Sequence, residues 1–292
     1  MKKQIVVVLA VLAFADIGWC QSAEEIIASV EKRYAGLTSL AVAGKTVADM
    51  DMSGVNTSDL LPANVRETPG LESALQKRQT LTTTFTIRLA RPDLYRVEWE
   101  QVVLPGQFTN HGAVWSAGDG NYLLLARSQK SKQDSQDLAL ASATGVSGGA
   151  AGTLPPIFFQ SQMSLLKNLK QCALLPEEKI GGDNCSVISG EVGGQKLVLW
   201  ITKEFIVKQK RHILGSPVAL PAISDADIKK SLEQLHQSAT PEAIEQMRTS
   251  MRMMQEISVK AIGSMTETYE KIEINPPLKP AAFDQGDTVG AN

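Results

Sequence analysis

The sequence predicts a mainly β protein with helices, an α+β fold in which one large antiparallel sheet carries an apolar face covered by helices. Three observations support this. Between Thr80 and Val103 the residues Leu81, Phe85, Ile87 and Leu89 share one parity while Thr80, Thr82, Thr84, Thr86 and Arg88 share the other; after Arg91-Pro92-Asp93, Tyr95, Val97 and Trp99 alternate with Arg96, Glu98 and Glu100. Side chains along a strand point to opposite faces, so both runs are apolar on one side and polar on the other. The third observation is a set of amphipathic helical stretches that supplies the cover.

From the amino terminus, Lys2 and Lys3 precede the apolar run Ile5 to Phe14, and Gly18 and Cys20 follow. This is the pattern of a secretory signal peptide over residues 1–20, cleaved near Cys20–Gln21, and the run is too short for a membrane span. A lipid anchor on Cys20 is the alternative, although Trp19 is too bulky for that signal. The mature chain is thus expected to be periplasmic, with residues 21–292 forming a single domain.

Ile27, Val30, Tyr34 and Leu37 fall at helical spacing, which predicts a helix over Ala23 to Leu40 with Glu24 and Glu25 complementing the dipole of its first turn. A strand is expected from Leu40 to Met52, and a Gly-, Pro- and Ser-rich loop with a short helix over Ser53 to Gln76. Pro92 lacks a donor and Asp93 favours a turn, so the two alternating runs read as a hairpin. Gly118-Asp119-Gly120-Asn121 joins strands around Val114 and Tyr122–Leu125.

Two insertions interrupt the strand pattern, at about 127–156 and 215–261. The first is polar, then Ala-rich, then Gly-rich, and is expected to be a mobile excursion. A helix is expected over Ile157 to Leu169. Strands follow at Cys185–Ser189, Lys196–Ile201 and Phe205–Leu214, with Gly193-Gly194 as a tight turn. In the second insertion Asp225 to Gln237 has a helical pattern. Thr240-Pro241 starts another helix, whose stripe is Ile244, Met247, Met251, Met254 and Ile257. A last strand runs from Gly263 to Asn275.

With 29 basic and 31 acidic side chains the net charge is −2, and no basic patch is interleaved with aromatics, so no nucleic-acid partner is expected. Cys172 and Cys185 are the two cysteines past the leader, and an even pair in an oxidising compartment reads as a disulfide. His111, His212 and His236 lack metal-ligand spacing. No nucleophile elbow, phosphate loop or zinc motif occurs, so neither an enzyme nor a cofactor is expected.

The segment Arg91-Pro92-Asp93-Leu94-Tyr95-Arg96 resembles the bacterial lipoprotein-carrier superfamily (the LolA/LolB type). Trp115 to Tyr122 is similar to that family's next hairpin, and Thr266 to Leu278 resembles the closing strand of exported relatives of unknown function. The resemblance implies a half-barrel lidded by helices, holding a lipid or acylated protein delivered or received by a membrane-bound partner. It also implies that Arg91 contacts the lid. On this reading the ligand would be lined by Phe85, Ile87, Arg91, Tyr95, Val97 and Trp99 from the sheet, and by Met247, Met251 and Met254, because methionine repacks around variable apolar partners. The alternative function is an envelope-stress sensor of the RseB type, with no transport role.

Overall fold

A computed structural model describes residues 22–51, 78–104, 108–125, 130–213 and 262–284, together with 224–226, 228–229, 240–241, 244–245 and 248. The expected leader at 1–20 with Cys20, the loop at 53–76, and Met247, Met251 and Met254 lie outside the described residues.

The described residues form one open sheet of eleven strands, every neighbouring pair antiparallel. After helix α1 (Ala23–Ala35), strand β1 (Ser39–Asp51) starts at the middle. The chain then winds outward through β2 (Arg78–Ala90), β3 (Leu94–Leu104), β4 (Phe108–Ser116), β5 (Asn121–Leu125) and the short edge strand β6 (Ser131–Gln133). It next crosses to the opposite edge as α2 (Gln136–Thr144), α3 (Ala150–Phe158) and α4 (Leu165–Asn168). From there β7 (Lys170–Ile180), β8 (Asp183–Val192), β9 (Gln195–Thr202) and β10 (Phe205–Ile213) wind inward until β11 (Ile262–Ile274) closes beside β1.

This topology puts helices on one face. Ten strand spacings make the sheet roughly 48 Å wide if it were flat. A single connection from β6 to β7 must travel that width, and its shortest course is over one face. The apolar parity of β1, β2 and β3 marks that face: Leu40 and Val42, then Phe85, Ile87 and Leu89, then Tyr95, Val97 and Trp99 are all buried in one cluster with α1–α4. Helix α1 packs over β7 and β10, α2 over β4 to β6, and α3 over β2 and β3.

Helix α1 begins with a reciprocal capping box in which Ser22 Oγ accepts from Glu25 N at 3.1 Å and Glu25 Oε2 accepts from Ser22 N at 2.9 Å. It ends at Ala35 rather than Leu40, because Gly36 caps it and Leu37 turns toward β1. Its buried stripe of Ile26, Ile27, Val30 and Tyr34 meets β10, where the Tyr34 and Phe205 rings pack edge to face at 5.5 Å.

The expectation of a mobile excursion at 127–156 fails over its described part. Ala139, Leu140, Ala143, Ala150, Ala151 and Leu154 are all at 1 % exposure or less. Alanine offers little area, but it lets a helix approach the sheet closely, and that close approach is what buries it. Ser135 caps α2 by accepting from Leu138 N at 3.2 Å. Gly148 and Gly149, at φ of 61° and 95°, reverse the chain into α3 in a conformation that other residues adopt only with strain. The single helix expected over 157–169 is divided, since α3 already ends at Phe158 and only Leu165–Asn168 is helical beyond it.

The disulfide expectation also fails: Cys172 and Cys185 are free thiols. Glu178 is the β7 partner of Cys185, and Cys172 lies six residues before Glu178, about 20 Å along the strand. The two thiols also face opposite ways. Cys172 packs against the helix-covered core, and Cys185 packs with Val187 and Trp200 on the outer face. A disulfide needs Cα atoms within about 7 Å.

Candidate functional site: the helix-covered inner face

The five apolar wall residues expected from parity stand together. Phe85 (β2) is directly paired with Trp99 (β3), Ile87 with Val97, and Leu89 with Tyr95. All are at 4 % exposure or less. Trp99 continues across to Gly112 on β4, where a Cβ would come within 2.2 Å of the indole, so glycine is what allows the ring to lie flat there. Phe85 meets Tyr269 of β11 edge to face at 6.1 Å, and Tyr95 meets Phe159 at 6.2 Å. The Tyr95 hydroxyl donates to Asn121 Oδ1 at 3.0 Å, which satisfies the one polar atom of that buried ring.

Arg91 fastens the roof. It sits at the end of β2, before a cis peptide bond to Pro92. Its Nε donates to the carbonyl of Leu37 at 2.9 Å, just past the end of α1, and its Nη2 donates to the carbonyl of Phe158 at 2.6 Å, the last residue of α3. The guanidinium also lies 4.8 Å from the centre of the Phe158 ring. A helix C-terminus presents unpaired carbonyls with partial negative charge, so one cation there joins the hairpin end to α1 and α3. Replacing Arg91 with methionine keeps most of the stem and removes both bonds. The expected loss is about 2–3 kcal/mol in urea unfolding, with lysine recovering only part because it lacks the fork geometry.

Arg96 behaves differently from an ordinary exposed hairpin charge. It is 4 % exposed on the outer face, where Nη2 donates to Glu98 Oε1 at 2.7 Å and Nη1 to the carbonyl of Asp284 at 2.9 Å. Arg88 Nη1 donates to the other Glu98 oxygen at 2.9 Å. Burial opposes ionisation of Glu98, yet the two arginines outweigh it and hold the carboxyl below its usual range. The carboxy-terminal segment, with Phe283 fully buried, covers this network.

Sequence reasoning missed Glu267, Gln209, Thr46 and Thr153, all at 1 % exposure or less. Glu267 was visible only as one polar residue in the alternating run Thr266–Glu273, and its parity with Tyr269 was the available signal. Among the described residues no group of histidine, cysteine and acidic side chains could hold a metal ion, and no helix is long and apolar enough to cross a membrane.

No family model matches the chain, and no curated protein does. Among solved structures it is similar to the lipoprotein LppX of Mycobacterium tuberculosis, at 13 % identity and a TM-score of 0.35 over 87 % of this chain and 97 % of that one. It is similar to LprF from Mycobacterium bovis at 9 % identity and a TM-score of 0.38, over 88 % and 94 %. A domain ascribed to outer membrane lipoprotein sorting in Vibrio parahaemolyticus matches at 10 % and 0.31, over 90 % and 96 %. At these identities and TM-scores the likeness assigns this chain no family and no residue a role.

Proposed function

We propose that this chain is an exported, periplasmic binding protein that carries a lipid or a protein-attached acyl group on the inner face of its sheet, with α2, α3 and α4 as the lid. On this reading residues 21–292 are one domain, the ligand passes to or from a membrane-bound protein, and no catalytic step is involved.

One observation carries the reading: aromatic side chains of the sheet are covered by helices whose buried residues include several alanines beside Leu140, Leu154, Ile157 and Phe158. Phe85, Tyr95 and Trp99 lie beneath a crossing connection whose buried residues include Ala139, Ala143, Ala150 and Ala151. Alanine contributes little burial energy of its own, so lifting this part of the roof loses mainly the cover over the aromatic wall. An acyl chain restores that cover. Each buried methylene contributes about 0.8 kcal/mol, so ten offer roughly 8 kcal/mol before ordering costs, which sets affinity at about micromolar at best. The glycines at 145, 148 and 149 between α2 and α3 supply the joint about which such a roof can move.

Titration with a fluorescent fatty acid or lipopeptide tests this. Saturable binding with displacement by unlabelled acyl chains is expected. A folded protein that binds no acylated probe would favour the sensor reading, in which the helices stay shut.

A further inference from the structure

One polar row crosses the apolar inner face. Gln101 on β3, Thr83 on β2, Thr46 on β1, Glu267 on β11 and Gln209 on β10 are successive register partners at one level of the sheet. The last four are at 2 % exposure or less. Helix α3 starts directly above them. Thr153 Oγ1 of α3 donates to Glu267 Oε2 at 3.0 Å, and Gln209 Nε2 donates to Thr153 Oγ1 at 2.7 Å and also to that carboxyl oxygen.

The carboxyl is therefore a contact between sheet and lid, and it has no counter-ion. Among the described residues no cation pairs with Glu267, and its Oε1 has no hydrogen-bond partner. Gln209 Oε1 and Thr46 Oγ1 are buried beside it and equally unpartnered, and the Tyr269 hydroxyl is buried close to the carboxyl. An ionised carboxylate in such a place is strongly disfavoured. A neutral one is not, and a proton on Oε1 adds a donor beside the acceptor-only Gln209 Oε1. Burial accordingly pushes Glu267 above the ordinary carboxylate range, against the pull of its hydrogen bonds and of Arg211. The titratable and charged groups that act on it among the described residues are Tyr269 on its own strand and Arg211 on β10, and Tyr34 of α1 acts in turn on Tyr269. Burial raises both tyrosines, so they stay neutral. Glu267 is the group that titrates.

We propose that Glu267 is a protonation latch for the lid: α3 closes over the inner face while the carboxyl holds its proton, and a lifted, hydrated α3 releases that proton and stays open longer. The proposal rests on the reading of α2–α4 as a lid and adds how its movement is controlled. Closing takes up one proton, so acid favours the closed form. The closed fraction falls as pH rises from the ordinary carboxylate range up to the raised value of the closed state, and is flat outside that window. Within it the opening equilibrium rises about tenfold per pH unit.

Hydrogen exchange of the α3 amides, corrected for intrinsic rates and followed from about pH 5 to about pH 8, tests the latch. In the unchanged protein, protection of α3 is expected to fall across this range while α1 holds. In Glu267→Gln, a neutral amide of the same shape, protection of α3 is expected to be high and independent of pH. Equal pH profiles for the two proteins would overturn the latch. Should the glutamine variant not fold, Thr153→Val serves: it removes a hydrogen bond that favours the charged carboxyl and is expected to move the profile to higher pH. An unmoved profile overturns the proposal. Acyl-probe binding at one fixed pH reports on the carrier reading alone, so binding retained with a flat α3 profile removes the latch and leaves the carrier.

Discussion

Replacing Trp99 with alanine is expected to lower the unfolding free energy by about 3–5 kcal/mol, one of the two largest effects of any single substitution on the inner face. The indole is 4 % exposed and sits between its register partners Phe85 and Gly112. Neither neighbour can fill the space. Gly112 has no side chain, and Phe85 is already held against Tyr269. Chemical denaturation checks the expectation through a lower midpoint at an unchanged slope. A loss under about 1 kcal/mol would mean that the roof collapses into the hole, and that the wall is softer than its burial implies.

Changing Gly44 to alanine is expected to cost about 3 kcal/mol for the opposite reason, overpacking. Gly44 follows the register shift between β1 and β11, and a Cβ there would stand 2.3 Å from the Thr268 carbonyl oxygen and 2.7 Å from the Phe85 ring. The ring could move a little, but the carbonyl belongs to the β11 backbone and cannot yield without opening the ladder. Because β1–β11 is the seam where the two halves of the sheet meet, the loss should appear in global unfolding as well as in local exchange. Thermal denaturation of the variant, beside Ala43→Gly as a control at the same bulge, measures it.

Much of the sheet was legible because its strands carry one wet face. The hairpin of β2 and β3 was read from alternation and matches the observed pairs Phe85–Trp99, Ile87–Val97 and Leu89–Tyr95. The strands β1 and β8 to β11 were also read from the sequence, as were the turns at Gly118–Asn121 and Gly193-Gly194 from their turn-forming residues and α1 from its helical spacing. The edge strand β7 was missed for a physical reason. Most of it is exposed on both faces, Leu174 at 39 % and Leu175 at 40 % included, so it has no alternation to show.

The site was legible only by half. Parity placed Phe85, Ile87, Tyr95, Val97 and Trp99 on one face, and the residues around Arg91 suggested its contact with a lid. That the segment over 139–152 docks on this face was misjudged, because its alanines and glycines were read as too small to be held there, while the stripe of Met247, Met251 and Met254 lies outside the described residues. The same error of scale affected the cysteines: they are 13 positions apart, and a short loop suggested proximity, but a strand separates them along its length and across its faces.

By itself the sequence determined which side chains share a face, since a period of two is a property of the strand alone. What covers that face was decided by topology. The chain begins in the middle of the sheet, winds to one edge and must return to the other, so a polar- and alanine-rich connection becomes the roof over the aromatic wall. The same crossing sets Thr153 over Glu267, residues 114 positions apart. No local pattern encodes that contact, because only the assembled sheet with the helices crossing it brings the two together and removes the water that would otherwise keep the carboxyl charged.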